Sequence, residues 1–156
     1  MLNIRVISIG KDKEPWITDG CNHYLKLLSR YARVELLLLP SLKSASSLSG
    51  ADIKATEAEK LGKAVGTDYL VALHDRGQTF DSPALARRLQ KIETDARGTV
   101  SFVIGGAFGL DERLLERADL ILSLSPLTFS HQLTRLILLE QLFRAYSILH
   151  GTAYHK

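Results

Sequence analysis

Short apolar segments rich in β-branched residues alternate with segments of helical periodicity along the whole chain. The pattern predicts strands at 2–9, 33–39, 69–73, 99–104 and 120–124. It predicts helices at 14–31, 51–65, 83–96, 112–118 and 130–150. Alternation of this kind is typical of a parallel sheet with helices on both faces. We therefore expect an α/β fold with a mostly parallel sheet of five or six strands.

The length and composition indicate one domain, residues 1–156. The chain has 156 residues, and 46% of them are apolar, which is enough to form one buried core. A serine-rich stretch at 41–50 predicts a mobile loop, because too little chain precedes it for a domain boundary. The net charge of +3 is small, so contact with RNA requires a local basic patch rather than a uniformly basic surface.

Several kinds of site and location can be set aside from the sequence. Cys21 is the single cysteine, which excludes an intramolecular disulfide and a cysteine-based zinc site, so no metal is expected. The chain has no signal-like start and no apolar window of about 18 residues, the minimum for a membrane span. We therefore expect a cytoplasmic protein that does not contact membranes.

The predicted strand at 99–104 leads into three glycines within five residues, Gly105, Gly106 and Gly109. Glycine permits backbone conformations and close approaches that other residues prevent, and a helix start follows at Asp111. The G-G-x-x-G spacing matches neither the dinucleotide-binding pattern nor a phosphate loop. From these residues alone, the turn is either a ligand site or an ordinary connection that binds nothing.

Three loops are expected to meet at one edge of the sheet. They follow Leu73, Ile104 and Leu124, which are the last residues of three predicted strands. In open parallel sheets, ligands bind beyond the carboxyl ends of the strands. This edge is therefore the predicted position of a binding site.

The last predicted helix carries more apolar residues than one stripe, from Leu133 to Leu149. The surplus is covered either by the same chain or by a second copy. Because a domain of this size has few places to bury a terminal helix on most sides, we favour a homodimer. Glu140 and Arg144 are predicted to form an i,i+4 pair on the exposed side.

Three segments carry a resemblance to a known family: 104–109, 122–135 and the ending Ala153-Tyr154-His155-Lys156. They resemble the RlmH group of SPOUT-class RNA methyltransferases, and the similarity also includes 71–73 with Gly77 and 7–11 with Pro15-Trp16. It thus spans essentially the whole chain. Relatives usually differ at three positions, with Asp in place of His74, a polar residue near Phe108 and Pro in place of Ser130.

The resemblance implies a homodimer with a C-terminal trefoil knot. The implied reaction transfers the methyl group of S-adenosyl-L-methionine to N3 of a pseudouridine in helix 69 of 23S rRNA, within assembled 70S ribosomes. The implied cofactor-binding residues are Leu73, Gly105, Gly106, Gly109, Leu124, Ser125, Pro126, Leu127, Thr128 and Phe129. The implied residues on the RNA side, which would be catalytic, are His131, Arg135, Tyr154 and His155.

N3 of a uracil ring must lose a proton before it attacks, so a base is expected nearby. His131 is a candidate because the N-terminus of a helix favours a neutral ring that accepts a proton. Alternatively, His131 only bonds the preceding loop. Two other functions stay open: a non-enzymatic ribosome-binding or assembly factor with a degenerate SPOUT core, and a SPOUT methyltransferase that acts on tRNA.

Overall fold

The computed structural model describes residues 1–11, 13–42, 48–96 and 98–156. Positions 43–47 of the predicted serine-rich loop lie outside the described residues. The strands are β1 Leu2–Ile9, β2 Ala32–Leu39, β3 Tyr69–Thr79, β4 Thr99–Ile104 and β5 Leu120–Ser123. The helices are α1 Pro15–Leu28, α2 Gly50–Val65, α3 Ser82–Asp95, α4 Glu112–Arg117 and α5 His131–Leu149. The predicted alternation of strands and helices is therefore confirmed.

The five strands form one sheet in the order β2-β1-β4-β3-β5, and every pairing is parallel. Within the described ranges no sixth strand joins it. Alternate residues of β1 point to opposite faces, so Ile4 and Val6 pack with α1, α3 and α5, whereas Ile7 and Ile9 pack with α2 and α4. Both faces are thus covered, as predicted. The trefoil knot stays a prediction, because the strand order does not decide it.

Strand β3 is longer than the sequence pattern predicts. Its apolar run ends at Leu73, but the strand continues to Thr79, and its register against β5 shifts between Leu73 and Gln78. A side chain at Gly77 would place its Cβ 2.7 Å from the carbonyl oxygen of Ile121. The extension is therefore built by backbone pairing and close approach, neither of which leaves an apolar pattern.

Helix α5 is covered mainly by its own chain. It lies between α1 and α3, and none of its residues from His131 to Leu149 is exposed. Glu140 and Arg144 form the predicted ion pair, at 2.6 Å, but their side chains are only 19% and 26% exposed. The prediction that this pair marks an exposed side is therefore wrong, because the C-terminal residues fold over it. The apolar character of α5 alone no longer requires a second copy.

Candidate active site

A cavity of about 420 Å³ lies at the carboxyl edge of the sheet, where the loops after β3, β4 and β5 meet the start of α5. Small-molecule sites usually occupy about 300 to 1,000 Å³. Of the predicted cofactor-binding residues, all except the exposed Pro126 line the cavity. The cavity has further lining residues outside that predicted set: His74, Asp75, Ile104, Ala107, Phe108, Leu110, Leu122, Ser130 and Thr134. Most belong to the same three loops, so extending each predicted segment by a few residues identifies them.

The packing of the turn at 105–109 requires glycine at two positions. A Cβ on Gly105 would lie 2.7 Å from the carbonyl carbon of Gly109 and 2.8 Å from its oxygen. The turn is closed by Gly109, whose N–H donates to the carbonyl of Gly106 at 3.0 Å and whose φ of +80° favours glycine. The spacing of the glycines is therefore explained by a tight turn. The cavity beside the turn is a separate observation, and it indicates a binding site.

The loop after β5 is held by hydroxyl groups. Ser123 is buried, and its Oγ lies 2.9 Å from the carbonyl oxygen of Ser125 and 3.1 Å from that of Asp75. Ser125 Oγ accepts from the N–H of Leu127 at 3.0 Å. These contacts connect two of the three loops that line the cavity. They fix the backbone of the loop after β5, whereas Leu127 remains 71% exposed at the cavity.

Glu57 on α2 lies beneath the glycine turn, and sequence reasoning missed it. Its side chain is buried, and Oε1 has no hydrogen-bond partner among the described residues. A Cβ on Gly106 would lie 2.9 and 3.1 Å from the two carboxyl oxygens. Burial raises the pKa of the Glu57 carboxyl, and Lys60 opposes the shift. No sequence signal marks Glu57, because it stands among polar residues that resemble a solvated helix face.

We expect the substitution Glu57→Gln to stabilise the fold at pH 7, by about 1 kcal/mol, because it removes the charge of a buried carboxyl whose Oε1 has no hydrogen-bond partner among the described residues. The folded protein holds the Glu57 proton more tightly than the unfolded chain does. The free energy of unfolding should therefore fall as pH rises from about 4.5 through the raised pKa. Urea unfolding across this pH range measures both effects.

The control for that substitution is Glu59→Gln, on the exposed side of the same helix. It should keep the wild-type fall in stability with pH. An identical fall in the Glu57→Gln protein would contradict this account of the buried carboxyl.

The start of α5 forms one wall of the cavity. Ser130 Oγ accepts from the N–H of Leu133 at 3.2 Å, so this serine acts as the N-cap of α5. His131 and Thr134 line the cavity. A Cβ on Gly10 would lie 3.0 Å from Nε2 of His131, which places this ring between the cavity and the end of β1. This position suits the proton-accepting role expected of His131 and leaves that role a prediction.

Arg135 is not on the cavity wall, contrary to its expected place on the RNA side. Its side chain is fully buried. The guanidinium donates to Ser8 Oγ at 2.7 Å and to the carbonyl oxygens of Ile9 and Gly10 at 2.8 and 2.7 Å. It therefore ties α5 to the end of β1 and supplies hydrogen-bond donors to these groups inside the protein.

The C-terminal residues pack against the middle of α5. Tyr154 Oη donates to Glu140 Oε1 at 3.1 Å and lies 3.3 Å from Tyr24 Oη. Its ring meets that of Phe143 edge to face at 4.7 Å, and Arg144 lies 4.8 Å from its centroid. Burial, followed by the hydrogen bonds to Tyr24 and Glu140, raises the pKa of Tyr154. The hydroxyl therefore keeps its proton at neutral pH and acts as a donor.

A single chain does not bring the four predicted RNA-side residues together. His155 Nδ1 lies 3.2 Å from Nη1 of Arg144, which follows His131 by 13 residues in α5. At 1.5 Å per residue this is about 20 Å along the helix. His131 therefore lies at the cavity, Arg135 in the interior, and Tyr154 and His155 well along α5.

The parts of the chain that the structure describes lack two further features, a metal-ligand cluster and a membrane-spanning helix. No group of three or more His, Cys, Asp or Glu residues there is arranged to hold a metal ion. None of the helices there combines the length and apolar composition needed to cross a bilayer.

Comparison with known proteins agrees with this architecture. The sequence model of the family described as "Predicted SPOUT methyltransferase" matches residues 2–155. The chain is 43% identical over 160 residues to ribosomal RNA large subunit methyltransferase H of Acetivibrio thermocellus, covering 99% of this chain and all of the relative.

Two solved structures share the fold at low sequence identity. A protein of Bordetella pertussis described as a probable methyltransferase has a TM-score of 0.60 and 17% identity, covering 92% of this chain and 94% of its own. A protein of Legionella pneumophila solved with bound SAM has a TM-score of 0.51 and 12% identity, covering 93% of this chain and 66% of its own. On the full-length family match and the sequence relationship, the chain belongs to the SPOUT methyltransferase family.

Proposed function

We propose that this protein transfers the methyl group of S-adenosyl-L-methionine to N3 of a pseudouridine in helix 69 of 23S rRNA. The observation that carries the proposal is the cavity at the carboxyl edge, which is lined by the segments that resemble the family. The relative matched over its full length is named as a methyltransferase of large-subunit ribosomal RNA. Action on ribosomes also supports the expectation of a cytoplasmic protein.

The residues around the cavity suit S-adenosyl-L-methionine chemically. Leu73, Leu122, Leu124 and Phe129 supply apolar surface for the adenine ring. The loop at 124–129 and the glycine turn supply backbone N–H and C=O groups for the polar parts of the cofactor. When bound, the cofactor supplies an electrophilic methyl group on a sulfonium. The task of the chain is to orient the RNA base towards it, and orientation of this kind can contribute roughly 7 to 11 kcal/mol.

His131 is proposed to accept the N3 proton, directly or through a water molecule. Its ring lies on the cavity wall at the N-terminus of α5. A helix N-terminus generally favours a neutral histidine ring, which is the form that this proposed role requires.

The RNA-facing half of the site is proposed to come from a second copy of the chain. Tyr154 and His155 match the family ending, but they lie far from the cavity of their own chain. The proposed dimer is a two-fold pairing in which the C-terminal residues of one chain meet the cavity of the other. A dimer also doubles the net charge of +3 available for docking on a preformed ribosomal cleft.

The proposed activity is tested with labelled S-adenosyl-L-methionine and three substrates: 70S ribosomes, separated subunits and naked 23S rRNA. Mass spectrometry of nuclease fragments then locates the label. We expect labelling of helix 69 in intact ribosomes and poor labelling of naked RNA. Label on tRNA or elsewhere in the ribosome would refute the assignment of the target. Cofactor binding without any transfer would favour the assembly-factor alternative.

Mixed dimers test the shared site. Gly105→Ala removes the cofactor half of the site and His155→Ala removes the RNA half, so each homodimer should be inactive. After exchange of subunits in equal amounts, half of the dimers are mixed and each holds one intact site, which restores about a quarter of wild-type activity. Transfer is measured as initial rate on 70S ribosomes.

Tyr154→Ala and His155→Ala should each keep cofactor binding. A mixture with no recovered activity, or light scattering that gives the chain mass of 17.3 kDa, would contradict the dimeric site.

A further inference from the structure

Glu140 is the centre of a hydrogen-bond network in the middle of α5. Its Oε1 accepts from Nε and Nη2 of Arg144, at 3.0 and 2.6 Å, and from Tyr154 Oη at 3.1 Å. Its Oε2 accepts from Nε2 of Gln141 at 2.7 Å. One carboxylate thus holds a guanidinium and a tyrosine from two parts of the chain. Because the Glu140 side chain is only 19% exposed, solvent screens these bonds little.

The same network determines which nitrogen of His155 carries a proton. Nη1 of Arg144 lies 3.2 Å from Nδ1 of His155. A guanidinium can only donate, so Nδ1 must accept and must therefore be unprotonated. The ring is then neutral with its hydrogen on Nε2. His150 provides the opposite case, because its Nδ1 lies 2.9 Å from the carbonyl oxygen of Tyr146 and must donate to it.

We propose that Glu140 is a positioning residue. It fixes Arg144, and Arg144 in turn holds His155 as a neutral imidazole with the hydrogen on Nε2. Glu140 also fixes the ring of Tyr154. The C-terminal residues then present a hydrogen-bond donor and an aromatic face as a preformed surface for a base. Three nitrogens of Arg144 are engaged within the chain, which holds its guanidinium in place.

The chemical use of this arrangement rests on the proposed function. N3 of a uracil ring is flanked by two carbonyl groups, and negative charge spreads onto their oxygens when N3 loses its proton. An N–H of His155 directed at one of these oxygens stabilises that charge and assists the loss of the proton. His155 is then a donor, and the role of proton acceptor falls to His131.

Long-range ¹H–¹⁵N correlation spectra of the full protein test the tautomer directly. They are recorded well above the ordinary histidine pKa of about 6.5, with His155→Gln and His150→Gln for assignment. We expect the hydrogen of His155 on Nε2 and that of His150 on Nδ1. Glu140→Ala should convert His155 to a mixture of tautomers, and Glu140→Gln, which keeps an acceptor oxygen, should show a smaller change. A wild-type His155 with its hydrogen on Nδ1 would overturn the proposal.

Activity supplies the second readout. Glu140→Ala should lower kcat on 70S ribosomes by roughly 100-fold and leave the affinity for S-adenosyl-L-methionine unchanged, with Glu140→Gln intermediate. The matched control is Glu93→Ala, since Glu93 also binds a tyrosine of α5, Tyr146 at 2.7 Å, without contacting the C-terminal residues. It should change neither the tautomer nor kcat.

An unaltered His155 tautomer in Glu140→Ala would overturn the positioning role. If the wild-type protein methylates no RNA, the proposed function fails, whereas the tautomer measurement still decides the role of Glu140.

Discussion

The substitution Gly105→Ala is expected to weaken binding of S-adenosyl-L-methionine by about 100-fold, because overpacking typically costs about 1 to 3 kcal/mol and every 1.4 kcal/mol is about tenfold in affinity. The added Cβ would lie 2.7 to 2.8 Å from the backbone of Gly109, so the turn must move as a unit. A flexible side chain could rotate away, but this neighbour is main chain. Gly105, Gly106 and Gly109 all line the cavity, so the movement reshapes its wall. Equilibrium dialysis with labelled cofactor measures the effect.

The matched control is Gly62→Ala within α2. Its Cβ would meet only the end of the Arg117 side chain, at an ordinary 3.5 Å, and alanine favours the helix. This variant should bind the cofactor normally. Circular dichroism shows whether each variant keeps its secondary structure. A folded Gly105→Ala protein with affinity within a few-fold of wild type would contradict the assigned role of the turn.

The substitution Arg135→Ala is expected to lower the free energy of unfolding by about 3 to 5 kcal/mol, through lost hydrogen bonds and a cavity in the core. The guanidinium satisfies Ser8 and the carbonyl oxygens of Ile9 and Gly10 inside the protein. Arg135→Lys should recover only part of the loss, because an ammonium cannot reproduce the planar fork. Urea denaturation gives the difference directly.

Arg113→Ala is the control for that measurement. Arg113 pairs with Asp111 on the surface, where its side chain is 72% exposed, so the unfolding midpoint should hardly change. If Arg135→Ala is as stable as Arg113→Ala but loses methyl transfer, then Arg135 acts in the reaction, as the family resemblance implies, and the structural account of this residue is wrong.

The elements and the location of the cavity could be predicted because they leave periodic signals. Apolar runs ending at Leu73, Ile104 and Leu124 located the carboxyl edge of the sheet, and the structure places the cavity there. The extension of β3 to Thr79 could not be predicted, because its pairing with β5 uses backbone groups and the space left by Gly77.

Buried polar residues escaped prediction for a different reason. Arginine is a residue type usually found at the surface, and Glu57 stands in a polar run. The burial of Arg135 and Glu57 therefore leaves no signal in the sequence. Burial depends on which elements pack against a helix, and this is a long-range property. The position of Tyr154 and His155 against Glu140 and Arg144 is likewise set by packing between elements. Family resemblance pointed to these residues without showing where they lie.

A backbone ¹H–¹⁵N NMR titration of the wild-type protein with S-adenosyl-L-methionine tests the central claim most directly. It reports both whether the cofactor binds and where. We predict saturable shifts concentrated at 73–75, 105–110 and 124–134, the loops and helix start around the cavity. The amides of Tyr154 and His155 should shift less, because the side chains of these residues, rather than their backbone, are proposed to face the cavity of a second chain. A spectrum unchanged at millimolar cofactor, or shifts confined to another surface, would contradict the account.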